Sequence, residues 1–392
     1  MATIVNLLPG DPAPFFRQRT QSNPKFVFDS TAGRYIVLCF FGTAADDAGK
    51  AAIKAVGQRP DLFNDDKACF FGVSCDPSDV EQGRIADRVP GYRFFHDFDL
   101  TVSRLYGGVD SEAVAGSPSM RFRRFWMVLD PSLHVLQVIP FSADGRDRQA
   151  VVNFVANLPD PDLSHGFPVQ APVIFLQNVF EPEFCTRLIE MYQKQGGEES
   201  GFMREVDGRT VMVADHAHKR RRDIHIEDQE VIRASQQRIQ RRIVPEIKKV
   251  HQFEVTRMER YIVACYLARE QGHFRAHRDN TTKGTAHRRF AVSINLNDGF
   301  DGGELCFPEY GSRTYKPPPG GAVVFSCSLL HQVSPVTRGE RYAFLPFLYD
   351  EAAAEIRQAN NRFLDKSLGQ YTAAQRAAAE AEAEDEAATA TS

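Results

Sequence analysis

The sequence predicts an α/β domain over residues 1–158 followed by a mainly β domain. In the first part, near-continuous apolar runs alternate with helical stretches, which is typical of an α/β domain. In the second, residues 261–349 read as short strands separated by Gly, Pro and Asn, which favours a sandwich or jelly roll. Proline and acidic residues cluster between the two parts. We therefore place a linker at residues 159–170.

Three apolar runs give the first part its predicted strands. The run RYIVLCFFG (34–42) suits a strand buried on both faces, and the Ala-rich segment 44–56 suits a following helix. A second run, ACFFGVSC (68–75), ends at an Asp-Pro pair, which stops a strand. The third consists of RFWMVLD and HVLQVIPF, with Asp130-Pro131 between them as a hairpin turn.

The second part is predicted to begin with helices. Residues 181–195 and 228–249 have helical spacing and few breakers, so we expect a helical lead-in over residues 171–260 before a β core at residues 261–350. The last segment, 372–392, is rich in Ala, Glu and Thr and has no apolar stripe. It is predicted to be a disordered tail.

Composition excludes several classes of protein. The tail holds one arginine and five acidic residues, which accounts for the formal charge of −4 and leaves a neutral body. A neutral body lacks the broad basic face that nucleic acid requires, although local basic patches remain open. Seven scattered cysteines without a CxxC pair suggest neither a disulfide framework nor a thiolate zinc site.

The expected compartment is the cytoplasm. The longest apolar run, residues 35–45, is shorter than the roughly 20 residues that cross a bilayer. The N-terminus MATIVNLLPGD has no basic region and meets Asp11 before an apolar stretch develops, which argues against a secretory signal. We expect no membrane partner.

Two histidines and an aspartate form a candidate metal site. His277 and Asp279 in GHFRAHRDN are two positions apart, so on a strand they project from one face, although a histidine-x-acidic pair alone is uninformative. A third candidate, His331, follows the apolar strand GGAVVFSCSLLH, and Arg341 lies ten residues further. Two imidazoles and one carboxylate suit Fe(II) and leave coordination positions open for chemistry. A guanidinium fork beyond the metal predicts a carboxylic acid cosubstrate.

Four blocks in order then give a family resemblance. The segments ACYLAREQGHFRAHRDN, RRFAVSINLN, FDGGELCFPE and PGGAVVFSCSLLHQVSPVTRGERY resemble the prolyl 4-hydroxylase branch of the Fe(II)/2-oxoglutarate dioxygenases. The resemblance implies a double-stranded β-helix with His277, Asp279 and His331 as iron ligands. It implies that Arg341 binds the C5 carboxylate of 2-oxoglutarate and that Tyr266 lies near this cosubstrate.

The resemblance also implies a reaction. With O₂ and 2-oxoglutarate, such an enzyme hydroxylates an unactivated C–H bond and releases succinate and CO₂, with ascorbate as a candidate reductant. The substrate would be peptidyl, prolyl residues included, or a small molecule, and residues 280–287 are the predicted specificity loop. The charged stretch HKRRRD (218–223) is interpreted as solvated, and His273 and His287 as loop or surface residues.

The first part resembles the peroxiredoxin (alkyl hydroperoxide reductase) family. PGDPAPFF, YIVLCFFG, FFGVSCDPSD and RRFWMVLDPSLHV carry this resemblance over about residues 6–158, which implies a thioredoxin-like fold. The position of the peroxidatic cysteine falls near Gly49, and residues 40–68 contain no cysteine. Asp46 and Asp47 at the helix start would raise the pKa of a nearby thiol.

Three functions are therefore compared: an active dioxygenase, a thiol-dependent peroxidase and a non-catalytic binding scaffold. The residues favour the first, because the triad and Arg341 are present and the peroxidatic cysteine is absent. The first domain is expected to be a scaffold, a homodimerisation surface or a recruiter of a protein substrate.

Overall fold

The computed structural model describes residues 2–117 and 120–369, so the predicted tail lies outside the described residues. The described residues form two compact units. The first unit contains the residues up to Ala171 together with Phe307–Arg313, and the second contains the rest from Pro172. Among the helices of the described ranges, none is both long and apolar enough to cross a membrane.

The first unit has a thioredoxin-like fold with a five-stranded sheet. The strands of the whole unit are β1 (Arg17–Gln18), β2 (Phe26–Val27), β3 (Tyr35–Gly42), β4 (Ala68–Ser74), β5 (Tyr92–His96), β6 (Phe125–Leu129) and β7 (Val135–Pro140). Its helices are α1 (Asp47–Gly57), α2 (Ser78–Glu81), α3 (Thr101–Tyr106) and α4 (Arg146–Ala156). The sheet runs β5-β4-β3-β6-β7. Strands β3, β4 and β5 are parallel, β6 is antiparallel to β3, and β7 is antiparallel to β6.

Burial explains why the central strand reads as an unbroken apolar run. Every β3 residue from Tyr35 to Phe41 is buried, as a strand covered on both faces should be. The two strands around Asp130-Pro131 pair as antiparallel neighbours, as the turn signal predicts. Trp126 on β6 donates from Nε1 to Asp147 at 2.8 Å, which satisfies a buried polar group between sheet and helix α4.

The second unit is strand-rich. Its strands are β8 (Ile174–Leu176), β9 (Glu198–Glu199), β10 (Phe202–Val206), β11 (Arg209–Val213), β12 (Lys219–Arg220), β13 (Arg222–His225), β14 (Arg257–Glu259), β15 (Ile262–Leu267), β16 (His273–His277), β17 (Phe290–Asn295), β18 (Asp301–Gly302), β19 (Leu305–Cys306), β20 (Thr314–Tyr315), β21 (Ala322–Ser326), β22 (His331–Val333), β23 (Val336–Arg338), β24 (Glu340–Phe344) and β25 (Phe347–Tyr349). Its helices are α5 (Pro182–Gln195), α6 (Gln229–Arg242), α7 (Val244–His251) and α8 (Glu351–Ala359).

Two sheets make the jelly roll of this unit. The larger runs β14-β25-β17-β24-β15-β13-β9, with β21 paired to β17 and β8 to β21. The smaller runs β12-β16-β22-β19-β20. Strands β10 and β11 form a separate two-stranded hairpin.

The predicted helix over residues 228–249 is two helices. Helix α6 ends at Arg242 and α7 begins at Val244, with Pro245 in its first turn. Proline has no backbone N–H and clashes with the preceding turn of a continuous helix, whereas the first turn of a new helix accepts it. Ile239, Ile243 and Ile247 still pack into one core, so the hydrophobic spacing continues across the break.

The lead-in at residues 171–260 is not purely helical. It contributes strands β8 to β14, and β8, β12 and β13 pair with the core strands β21, β16 and β15 respectively. These strands have two to five residues and several are rich in charge, so periodicity alone conceals them.

Candidate metal centre

Antiparallel strands bring the two histidines face to face. His277 ends β16 and His331 begins β22, and they are direct partners in the ladder with ring centroids 4.3 Å apart. Asp279 follows β16, and its backbone N–H donates to the Cys327 carbonyl at 2.9 Å. The smaller sheet therefore presents all three side chains at one place.

The three ligand atoms fit one ion. Asp279 Oδ1 lies 3.6 Å from His277 Nε2, and Oδ2 lies 3.3 Å from His331 Nε2. All three ligand atoms lie within 4.8 Å of one another. Atoms bound to one ion at roughly 2.1 Å are about 3 Å apart, so a small adjustment would complete the coordination.

The backbone sets the tautomer of both histidines. His277 Nδ1 donates to the carbonyl of Arg275 at 2.7 Å, and His331 Nδ1 donates to the carbonyl of Leu329 at 3.0 Å. A proton fixed on Nδ1 leaves the Nε2 lone pair free for a metal, and both Nε2 atoms face Asp279.

The charge states also suit a metal. Burial alone would raise the pKa of Asp279, but His331 and His277 outweigh it and hold that pKa well below its usual range. Burial, together with His277, lowers the pKa of His331 to about 4. At neutral pH the group is therefore a carboxylate beside a neutral imidazole, the forms that bind divalent metals.

Arg341 is a buried cation with one unpaired donor. It lies on β24, is 2% exposed, and donates from Nε to Asn295 at 3.0 Å and from Nη2 to Ser293 at 2.9 Å. Its Nη1 is buried and has no hydrogen-bond partner among the described residues. A buried guanidinium with a free donor is suited to bind a carboxylate.

Tyr266 lies against this arginine. It is 1% exposed and is the ladder partner of Arg341, whose Cζ lies 5.2 Å from the tyrosine ring centroid. Its hydroxyl lies 3.5 Å from Arg221 Nη1. The larger sheet thus brings together the two residues predicted to contact the cosubstrate.

Interpreting HKRRRD as a solvated stretch is wrong for its alternate members. Lys219, Arg221 and Asp223 are buried. Arg221 donates from Nε to Asp223 at 2.7 Å, Lys219 Nζ lies 2.7 Å from Ser200 Oγ, and the Ser200 hydroxyl donates to Asp223. The i, i+2, i+4 spacing of these three residues was the available signal, since it matches one face of a strand.

This polar network connects the two groups of site residues. Burial alone would raise the pKa of Asp223, but Arg221 and Lys219 hold it well below its usual range. Burial and Arg221 lower the pKa of Lys219, which also feels the Asp279 carboxylate. Lys219 therefore feels the charge of the metal triad, and Arg221 of the same network lies 3.5 Å from the Tyr266 hydroxyl.

The two flanking histidines differ in their surroundings. His287 lies in a turn, as a loop residue, but it is 2% exposed and therefore not at the surface, and its Nε2 lies 3.1 Å from Glu259 Oε1. His273 is partly exposed and binds the Gln271 carbonyl through Nδ1 at 2.8 Å. Neither belongs to the triad.

In the first unit, an ion pair occupies the start of helix α1. Asp46 caps the helix by accepting from the Gly49 backbone N–H at 2.9 Å, and it also accepts from the Arg124 guanidinium. A Cβ at Gly49 would lie 2.0 Å from the Thr43 carbonyl oxygen. No side chain fits at this position without movement of the backbone.

The cysteines of this unit have the chemistry of inert thiols. Burial raises the pKa of Cys69 and of Cys75 to about 12, and raises that of Cys39 well above its ordinary value. The thiolate is the reactive form, so none of the three is activated.

Two family models match parts of the chain. Residues 261–349 match the 2OG-Fe(II) oxygenase superfamily, and residues 9–137 match the AhpC/TSA family. A PKHD-type hydroxylase from Cupriavidus metallidurans is 42% identical over 80 residues, which is 18% of this chain and 35% of that protein. The chain thus matches about a third of the length of the first curated relatives.

Solved structures resemble each part. A prolyl hydroxylase from Trichoplax adhaerens, in complex with a peptide fragment of hypoxia inducible factor, is 17% identical with a TM-score of 0.39, covering 53% of this chain and 95% of that one. Peroxiredoxin Q from Xanthomonas campestris is 16% identical with a TM-score of 0.30, covering 36% of this chain and 89% of that one.

Proposed function

We propose that the chain is an Fe(II)- and 2-oxoglutarate-dependent dioxygenase that hydroxylates a C–H bond of its substrate. The observation that carries the proposal is the pairing of a His-Asp-His triad with a buried arginine that has a free donor. The match of residues 261–349 to the 2OG-Fe(II) oxygenase superfamily supports it. In this proposal, His277, Asp279 and His331 hold Fe(II).

The remaining residues bind and orient the cosubstrate. Fe(II) with 2-oxoglutarate and O₂ supplies the oxidising chemistry, with succinate and CO₂ as products. The unpaired Nη1 of Arg341 donates to the C5 carboxylate, while Asn295 and Ser293 hold the other guanidinium nitrogens in place. Tyr266, packed against the guanidinium, helps to orient it toward the cosubstrate.

The proposed substrate is a peptide or protein side chain, with peptidyl proline as the first candidate and a small molecule as the second. The relatives are named PKHD-type hydroxylases, and one similar structure is described as holding a peptide fragment. Residues 280–287, which follow Asp279 directly, are the proposed specificity loop.

The direct test is succinate formation from 2-oxoglutarate with added Fe(II). We expect formation by the wild-type protein and its loss, by about two orders of magnitude or more, in His277→Ala, because removing one ligand opens the coordination shell. The matched control is His273→Ala on the same strand, which should retain activity. Equal rates for wild type and His277→Ala would reject the proposal.

Two finer expectations belong to this proposal. If ascorbate is the reductant, adding ascorbate to the same assay should prolong turnover without changing the initial rate. Cytoplasmic location predicts that the protein remains in the cytoplasmic fraction when cells are fractionated.

A further inference from the structure

The surroundings of the metal centre carry a local excess of positive charge. Between His273 and Arg289 the chain has five Lys or Arg residues and one acidic residue, Asp279, although the whole chain carries a charge of −4. Asp279 belongs to the triad, and Arg288 donates to buried Glu259 at 2.8 Å. Arg289 donates to the Ala286 carbonyl at 2.9 Å, and Lys283 lies 3.9 Å from the Phe363 ring centroid.

Aromatic contacts connect the β10–β11 hairpin to strand β16, which carries His277. Phe202 on β10 packs against His218 with ring centroids 4.4 Å apart, and His218 lies 6.3 Å from His277. Phe274 stacks on His277 at 3.5 Å and contacts His218 at 5.5 Å. The root of the hairpin therefore borders the metal centre.

Two exposed arginines lie on this border. Arg204 has its guanidinium 5.2 Å from the Phe202 ring centroid. Arg275 donates from its backbone N–H to the His218 carbonyl at 2.9 Å. We call these two residues the basic rim. Neither Arg204 nor Arg275 pairs with an acidic side chain in the part of the chain that the structure describes.

Two acidic side chains of the adjoining segment have partners. Asp215 accepts from the Ala217 backbone N–H at 2.9 Å, and Glu199 pairs with His216. The rim arginines are forked donors beside the proposed reaction centre. Such donors bind carboxylates, and a local positive potential concentrates anionic partners.

We propose that the basic rim binds an acidic peptide segment, so that the substrate is a protein whose hydroxylated residue is flanked by Asp or Glu. This deepens the proposed function and rests on it. Under this inference, neutral peptides and small neutral molecules are not the preferred substrates.

The test measures binding of labelled peptides to the full chain by fluorescence anisotropy. One peptide has a central proline flanked by Asp and Glu, and its partner has Lys and Arg at those positions. The chain's own tail is acidic, so every protein tested carries the neutralised tail, with Gln or Asn at Glu380, Glu382, Glu384, Asp385 and Glu386.

The rim variant is Arg204→Glu with Arg275→Glu. The matched control is Arg233→Glu with Arg241→Glu, two exposed positions of helix α6 with the same change of charge. We expect the rim variant to weaken binding of the acidic peptide about tenfold or more, and the control to change it little. Roughly 0.5 M salt should remove most of the difference.

Three results would overturn the inference: unchanged binding in the rim variant, equal binding of the basic peptide, or tighter binding of a single-stranded oligonucleotide of equal charge. Succinate formation separates this inference from the proposed function. Binding that depends on the rim, without succinate formation, would reject the dioxygenase proposal and support the rim as a peptide-binding surface. Succinate formation without a preference for the acidic peptide would support the dioxygenase proposal and reject the role of the rim.

Discussion

At the scale of single residues, Arg341 has the most specific predicted role. Its replacement by Met keeps a long apolar stem and removes the donors, so we expect the Kd for 2-oxoglutarate to rise about 10- to 100-fold. Calorimetry with Mn(II) in place of iron measures this without turnover.

The control for this prediction is Arg338→Met. Arg338 is exposed and pairs with Asp301 at 2.6 Å, so its loss should leave the Kd unchanged. An equal effect of both variants would show that general charge, rather than the buried donor, governs binding.

Gly49 gives a second prediction at this scale. Gly49→Cys would place a thiol at the position that the peroxiredoxin resemblance indicates, yet its Cβ would collide with the Thr43 carbonyl oxygen. We expect destabilisation of about 2 kcal/mol or more and no gain of peroxidase activity. Urea unfolding and hydrogen peroxide consumption measure the two outcomes, and a stable, active variant would contradict the steric argument.

At the scale of elements, one buried carboxylate joins three parts of the second unit. Glu259 on β14 accepts from Arg288 before β17 at 2.8 Å, and lies 2.7 Å from Arg357 on helix α8. Burial alone would raise the pKa of Glu259, but Arg288, His287 and Arg357 hold it well below its ordinary value.

This depressed pKa predicts the direction of the pH dependence. The contribution of Glu259 to stability is fully present above the unfolded pKa of about 4.5 and is lost as the pH falls toward the folded pKa. Glu259→Gln should cost about 3 to 5 kcal/mol at pH 7, because two cations lose their partner.

The cost of Glu259→Gln should shrink as the pH is lowered below about 4.5, and urea unfolding at pH 7 and pH 4 measures both values. Glu351→Gln is the control, because the partner of that exposed carboxylate, Arg257, can turn to solvent. A cost that did not change with pH would contradict the assignment.

Element boundaries show where the sequence was informative. The buried strand β3 and helix α5 were predicted nearly as they occur, because long apolar or amphipathic runs have a clear period. The hairpin β10–β11 was missed because its pairing needs no continuous apolar face, and its residues are mostly partly exposed. Pro245 broke a helix whose hydrophobic spacing continued, so spacing concealed the break.

At the scale of the whole molecule, long-range pairing decides what sequence could predict of the site. His277, Asp279, His331 and Arg341 were selected as candidates from residue type and order, and the first three lie together in the structure. The burial of Lys219 and Asp223 was not predicted, although their spacing matches one face of a strand, because it depends on β12 and β13 pairing with β16 and β15, about forty to fifty-five residues further along the chain. The local run of charged residues predicted exposure to solvent, whereas the long-range pairing of the strands buries these side chains.

Homodimerisation, one of the three expectations for the first domain, is also a property of the whole chain. Light scattering after size exclusion should give about twice the chain mass of 44.0 kDa if the first unit provides a self-association surface. A mass near 44.0 kDa at micromolar concentration would exclude a stable homodimer.

The carbonyl groups that hold His277 and His331 belong to the main chain, two residues before each imidazole. Genetic drift can exchange side chains at Arg275 and Leu329, but every amino acid keeps the oxygen that receives the proton. A point substitution at Arg275 or Leu329 therefore leaves the orientation of both rings unchanged, and only a shift of strand register would alter it.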